Sequence, residues 1–169
     1  SKPLEACIES GEDGGASQAC KRVSSHTIVV GYGPIGKRVV QALKRNQESY
    51  VIVETNPKTA KALAHEEEAV VFGDASTEIV LEAARIHQAQ SIVITIPDIT
   101  VAASISSVAR ELNPDVKRLG RARFEGELHQ AEKAGIAPVI YDEQESGLKL
   151  AEAALIAAGL DPATVSLSR

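Results

Sequence analysis

The chain contains no methionine and no tryptophan, and aromatic residues make up only 3% of its 169 positions. A core must therefore be assembled from Val, Ile, Leu and Ala, and a hydrophobic fraction of 44% supplies enough of them. Cysteine is nearly as scarce. Cys7 and Cys20 both fall within the first 25 residues, with no Cys-x-x-Cys and no histidines at ligand spacing beside them. That pattern offers no metal site and reads as two free thiols in a linker, with a disulfide or a redox pair left open. His26, His65, His87 and His129 are scattered and read as structural or solvated. No apolar run approaches the roughly 18–20 residues of a membrane span, and no signal peptide is visible. Positive charge is not in excess either: 18 Lys and Arg stand against 23 Asp and Glu. A net charge of −5 argues against general nucleic-acid binding, which needs a basic stripe. With no methionine and a first residue of Ser1, the expectation is a piece of a longer protein.

What is present is an alternation. Residues 1–24 read as a flexible linker, because Gly11-Glu12-Asp13-Gly14-Gly15-Ala16-Ser17 is polar and lacks apolar periodicity. From His26 the chain changes character, and a domain is expected over 25–159 with a tail at 160–169. Apolar runs at His26–Gly31, Tyr50–Glu54, Ala69–Phe72, Ser91–Ile96, Val116–Arg121 and Pro138–Tyr141 read as strands. Helical patterns separate them, at Pro34–Lys44, Lys58–His65, Thr77–Arg85, Ile99–Leu112, Phe124–Ala134 and Glu143–Ala158. Strict alternation predicts parallel strands joined by right-handed crossovers. The expected fold is therefore α/β: a Rossmann-like, doubly wound, six-stranded parallel sheet of order 3-2-1-4-5-6. In that order a crevice opens where the chain reverses direction, between strands 1 and 4.

The first strand runs directly into Gly31-Tyr32-Gly33-Pro34-Ile35-Gly36. This is G-x-G-x-x-G, in which the first glycine permits a tight turn, the second lets a pyrophosphate approach, and the third lets helix and strand pack closely. The helix that follows points its free N–H groups and positive dipole end at a phosphate. Pro34 suits the first helical turn but removes one N–H, leaving Gly33 and Ile35 as donors.

Glu54 ends the second strand 18 residues after Gly36, near the expected spacing of about 20. A carboxylate there accepts bonds from both ribose hydroxyls of an adenosine and repels a 2′-phosphate. Neither Thr55 nor Asn56 offers an arginine to offset that repulsion, so NAD(H) or a plain adenine nucleotide is expected over NADP(H). Gly73-Asp74-Ala75 follows strand 3, where Asp74 either accepts from an adenine amino group or caps the next helix. Ile96 and Asp98 leave strand 4 and Arg121 ends strand 5, so all three border the crevice. Asp98 and Arg121 either touch ligand or pair with each other. No catalytic residue and no metal-ligand set emerges. Hydride transfer needs a second domain to hold substrate, and only one helix and a short tail follow strand 6. An NAD-dependent oxidoreductase lacking its substrate domain is therefore the alternative, and a partner-binding domain with an empty site is a third.

Taken together, His26–Gly36, Glu54, Gly73-Asp74-Ala75, Arg121-Ala122-Arg123 and Gly147-Leu148-Lys149-Leu150-Ala151 resemble the TrkA-N family, also called RCK N-terminal or KTN domains. The resemblance covers about residues 26–158. It implies a domain on the cytoplasmic face of the inner cell membrane, gating a potassium channel or a Kef-type cation/proton antiporter. It also implies NAD(H) or AMP, ADP or ATP in the crevice, a membrane transport domain in the same or a partner chain, and a homodimer. In such dimers the last helix crosses to a neighbour. Leu148, Leu150, Ala151, Ala154, Leu155 and Ala158 form an apolar stripe that suits this, or that packs on its own sheet.

Overall fold

In the computed structural model, Ala16, Ser17, Ala19, Cys20 and residues 23–165 are described. Six parallel strands form one sheet in the order β3-β2-β1-β4-β5-β6. They are β1 Thr27–Val30, β2 Tyr50–Glu54, β3 Val70–Phe72, β4 Ser91–Ile94, β5 Lys117–Ala122 and β6 Val139–Tyr141. This is the order expected from strand–helix alternation. The register aligns Val30 with Val53 on one side and with Ile94 on the other, so the central strands end together at one rim.

The helices are α1 Pro34–Arg45, α2 Pro57–His65, α3 Glu78–Ala83, α4 Ile99–Leu112, α5 Leu128–Lys133 and α6 Asp142–Ala157. Alternation along each strand sends neighbouring residues to opposite faces. Val29, Ile52 and Val70 pack with Val40 of α1 and Leu63 of α2 on one face. Ile28, Val30, Val51, Ile92 and Ile94 pack with Leu81 of α3 and Ile105 of α4 on the other. Covering both faces explains the uninterrupted apolar strands of the sequence.

Two helices are shorter than their sequence patterns. The run expected at Thr77–Arg85 stops at Ala83, because Arg85 takes a left-handed conformation with φ of 59° and a 3-10 turn follows over Ile86–Gln88. The run expected at Phe124–Ala134 begins as a 3-10 turn over Glu125–Glu127 before α5.

Part of the expected linker belongs to the folded unit. Ala16 forms an antiparallel bridge with Val71, and Ser17 N–H donates to Val70 C=O at 2.8 Å. Ser17 Oγ accepts from Val70 N–H at 3.0 Å and donates to Glu68 C=O at 3.0 Å. The segment thus covers the edge of β3, whose backbone groups would otherwise lie open. Cys20 is buried beneath it, with its thiol 3.5 Å from Val70 C=O and pushed up by burial. Cys7 lies outside the described residues, so the pairing of the two cysteines does too.

His26, just before β1, is fully buried. Its Nε2–H donates to Ala84 C=O at 2.8 Å, which leaves Nδ1 unprotonated and without a protein partner. Burial, with Arg85 nearby, lowers its pKa below the usual 6.5. The unfolded chain therefore takes up a proton near pH 6.5 that the folded chain refuses. Stability should be fully present above that pH and decline as pH falls from about 6.5 toward the lowered folded value. Urea unfolding at pH 7.5 and 5.5 tests this. The loss between the two should shrink in His26→Gln, and an equal loss in both proteins would assign it to other groups.

The last helix behaves unlike the others. No residue of α6 is buried, and Leu150 is 73% exposed. Leu148 and Leu155 are only half-buried. The apolar stripe is therefore not consumed by packing on the chain's own sheet.

Candidate functional site

The strand ends and the loops after them enclose a cavity of about 620 Å³. It sits at the switch point, where β1 and β4 are neighbours and their connections leave in opposite directions. Gly31, Tyr32, Gly33, Pro34, Ile35 and Gly36 line it from above β1. Glu54 and Thr55 line it from β2, and Gly73, Asp74 and Ala75 from beyond β3. Ile96 and Arg121 close the opposite side. Thirteen of the fourteen residues expected from sequence thus share one cavity; Asp98 does not.

The glycine turn is held by contacts that need two of its glycines, Gly31 and Gly36. Gly31 has φ of +94°, and a Cβ there would lie 2.6 Å from Thr95 Oγ1. Thr95 is buried and donates its hydroxyl to Val30 C=O at 2.7 Å. A Cβ on Gly36 would lie 1.9 Å from Gly31 O. A Cβ on Gly33 would meet nothing within 4 Å.

The start of α1 is open. Its N-cap is Gly33, which has no side chain to accept a bond; Pro34 occupies the first turn, and no acidic residue follows. By contrast α2 and α4 are closed by their own side chains. Asn56 accepts from Lys58 N–H and Thr59 N–H, and Asp98 from Thr100 N–H and Val101 N–H. The N-terminal donors and dipole of α1 therefore face the cavity without a side-chain acceptor.

Glu54 braces the same turn. Oε2 accepts from Tyr32 N–H at 2.8 Å and Oε1 from Asn56 N–H at 2.9 Å. A carboxylate has about four lone-pair positions, so each oxygen keeps one for a further donor. The Tyr32 ring has Lys37 Nζ 5.6 Å from its centre. Burial, with Glu68 and Glu66 nearby, raises its phenol, which stays protonated at ordinary pH.

Three expectations are corrected by the geometry. Asp98 is committed to capping α4 and stands outside the cavity lining. Arg121 does not pair with Asp98; its Nε lies 3.1 Å from Asp142 Oδ2, its Nη2 bonds the same carboxylate, and Nη1 donates to Thr95 C=O at 3.3 Å. Asp74 does not cap α3 through its side chain. Its Oδ1 accepts from Ser76 N–H at 2.9 Å and from Ser76 Oγ at 2.8 Å, while Thr77 is the N-cap. Thr95 and Val101 line the cavity without having been expected. Thr95 is hidden in sequence as an ordinary strand-end residue, and Val101 as one apolar helix position among many. Among the described residues no cluster of His, Cys, Asp and Glu has the makings of a metal site.

A doubly wound parallel sheet with this turn, this open helix start and this strand-end carboxylate defines a Rossmann-type domain. More narrowly, the chain belongs to the TrkA-N domain family, whose model it matches over residues 27–142. It is 28% identical over 123 residues to the putative cation/proton antiporter YbaL of Escherichia coli K12, an alignment spanning 73% of this chain and 22% of YbaL. It also resembles the crystal structure of the TrkA-N domain of YbaL, with a TM-score of 0.75 at 27% identity, covering 78% of this chain and 97% of that one. The AMP-bound Kef C-terminal domain of Shewanella denitrificans matches with a TM-score of 0.72 at 26% identity, covering 82% and 84%. The NAD-bound GsuK channel shares the fold, with a TM-score of 0.62 at 22% identity over 70% of this chain and 22% of that one. No helix among the described residues is long and apolar enough to cross a membrane.

Proposed function

We propose that this chain is a regulatory nucleotide-binding domain that gates potassium transport or cation/proton antiport, with NAD(H) or an adenine nucleotide as its signal. The observation that carries this is one cavity holding both an uncapped helix start and a ribose-type carboxylate. The first suits phosphate and the second suits adenosine hydroxyls. Glycines 31, 33 and 36 shape the phosphate approach, Glu54 takes the ribose, and Gly73-Asp74-Ala75 lies toward the adenine. AMP in the Kef relative and the antiporter activity ascribed to YbaL support this reading over an oxidoreductase.

The domain acts at the cytoplasmic face of the cell membrane, attached to or docked on a transport domain. Two copies pair, with the exposed apolar stripe of α6 laid on the neighbour. The working unit is residues 25–159 together with the strip around Ala16, Ser17 and Cys20 that covers β3. A ligand bound better by one dimer arrangement shifts the population of arrangements, and the transport domain reads that shift.

Thermal unfolding with NAD, NADH, NADP, AMP, ADP and ATP tests the proposal. A ligand at one hundred times its Kd adds about 2.7 kcal/mol, which raises Tm by roughly 5–10 °C for a chain of this size. NAD(H) and at least one adenine nucleotide should do so, and NADP should not. Native mass spectrometry of the same samples should read two copies. No shift with any ligand would sink the nucleotide assignment, and a strictly monomeric mass would sink the dimer.

A further inference from the structure

Arg121 occupies two positions at once. It lines the cavity from β5, across the glycine turn from Glu54 on β2. It also grips the root of α6, because Asp142 is the first residue of that helix. Nε reaches Oδ2 at 3.1 Å and Oδ1 at 3.3 Å, and Nη2 joins the same carboxylate. Its side chain is 19% exposed and that of Asp142 is 31% exposed, so water screens the pair only in part. The other side-chain bonds of α6 are short-range, Tyr141 to Glu143 and Lys149 to Glu152. Among the described residues, Arg121–Asp142 is thus the side-chain bond that ties α6 to a distant part of the chain. With no residue of α6 buried, little apolar packing backs that tie.

We propose that the Arg121–Asp142 pair is a charge-operated latch that distinguishes nucleoside di- and triphosphates from monophosphates. The inference rests on the nucleotide reading of the cavity, with adenosine at the Glu54 side and the first phosphate at the start of α1. A second phosphate then extends toward β4 and β5, where Arg121 waits. The Nε/Nη2 edge of a guanidinium holds one carboxylate or one phosphate in its fork, not both. A terminal phosphate with up to two negative charges therefore draws Arg121 from Asp142 and frees the base of α6. AMP ends at the glycine turn and leaves the latch shut. NAD places there a bridging phosphate with one negative charge, its far oxygen tied to the second ribose, so it competes with Asp142 more weakly than a terminal phosphate and leaves the latch shut as well.

Hydrogen exchange read by mass spectrometry over residues 142–157 of the 169-residue chain tests the latch. Saturating ADP or ATP should raise exchange in the first turns of α6 by about fivefold, the scale set by one partly screened ion pair. AMP and NAD should change it by less than about twofold on the same scale. Asp142→Asn should release α6 without ligand and, by removing the competitor, tighten ADP by about threefold or more. Arg121→Gln should also release α6 without ligand, although Asp142 still faces its own helix dipole, and should erase the difference between ADP and AMP. Equal effects of ADP and AMP on α6 in the wild-type chain would overturn the latch. So would unchanged exchange in both unliganded variants, a comparison that needs no nucleotide. Failure of every nucleotide to bind is a different result: it overturns the reading of the cavity, and with it the assignment of a phosphate to Arg121.

Discussion

Gly36→Ala should unfold the domain at a markedly lower temperature, whereas Gly33→Ala should leave unfolding almost untouched and weaken nucleotide binding at least about tenfold. The two glycines are three residues apart in the same motif, yet their surroundings differ. Gly36 lies in the first turns of α1, where alanine would ordinarily gain about 1 kcal/mol of helix propensity. Here its Cβ would lie 1.9 Å from Gly31 O and 2.8 Å from Gly31 C. Backbone cannot swing aside like a flexible side chain, so α1 must lift off β1. Overpacking of this kind costs about 3 kcal/mol or more, which is a large part of the roughly 5–15 kcal/mol that holds a domain together. Tm should fall by about 6–12 °C.

Gly33 has φ of −77° and ψ of −167°, a conformation alanine adopts freely. Its Cβ would stand in open space at the cavity wall. Unliganded Tm should therefore move by no more than about 1–2 °C. If a phosphate comes to the start of α1, that methyl group takes its place, and affinity for AMP, ADP and NAD should drop at least about tenfold, or 1.4 kcal/mol. Thermal unfolding paired with calorimetric titration separates the two effects. Unaltered affinity in Gly33→Ala would mean that the phosphate lies elsewhere.

Glu54→Ala should cost affinity for every adenosine ligand by at least about a hundredfold. Two hydrogen bonds to a charged acceptor are at stake, each worth about 1.5–3 kcal/mol. The same change removes the acceptor for Tyr32 N–H at 2.8 Å and for Asn56 N–H at 2.9 Å, so the glycine turn loosens and unliganded Tm drops by a few degrees. Glu54→Gln provides the finer comparison. It keeps one acceptor oxygen and removes the negative charge, so affinity for NAD should fall less while NADP gains relative to NAD. Calorimetric titration with AMP, NAD and NADP checks both variants. Equal affinities in Glu54→Ala and the parent chain would remove Glu54 from the ribose position.

Much of this was legible in the sequence, and the reason is local. Strand–helix alternation determined the sheet order, because right-handed crossovers leave few ways to join consecutive parallel strands. Gly31, Gly33, Gly36 and Glu54 could be placed beforehand because one strand, one turn and one crossover fix their separation. What escaped was set by partners distant along the chain. Ala16, Ser17 and Cys20 sit in a stretch that reads as linker, and only the open edge of β3 gives them bonding partners. Asp98 and Arg121 both read in sequence as strand-end residues, and nothing in their spacing reveals that one caps its own helix while the other reaches Asp142. Asp74 satisfies itself within two residues, a choice made by loop conformation rather than by residue type. The apolar stripe of α6 was plain from its periodicity, but only the fold shows it lying uncovered on the single chain. Sequence by itself determined the sheet and the motif that opens the cavity, since short-range geometry dictates both. The tertiary structure decided which charges meet, because an ion pair depends on where two strand ends and a helix start come to rest in space.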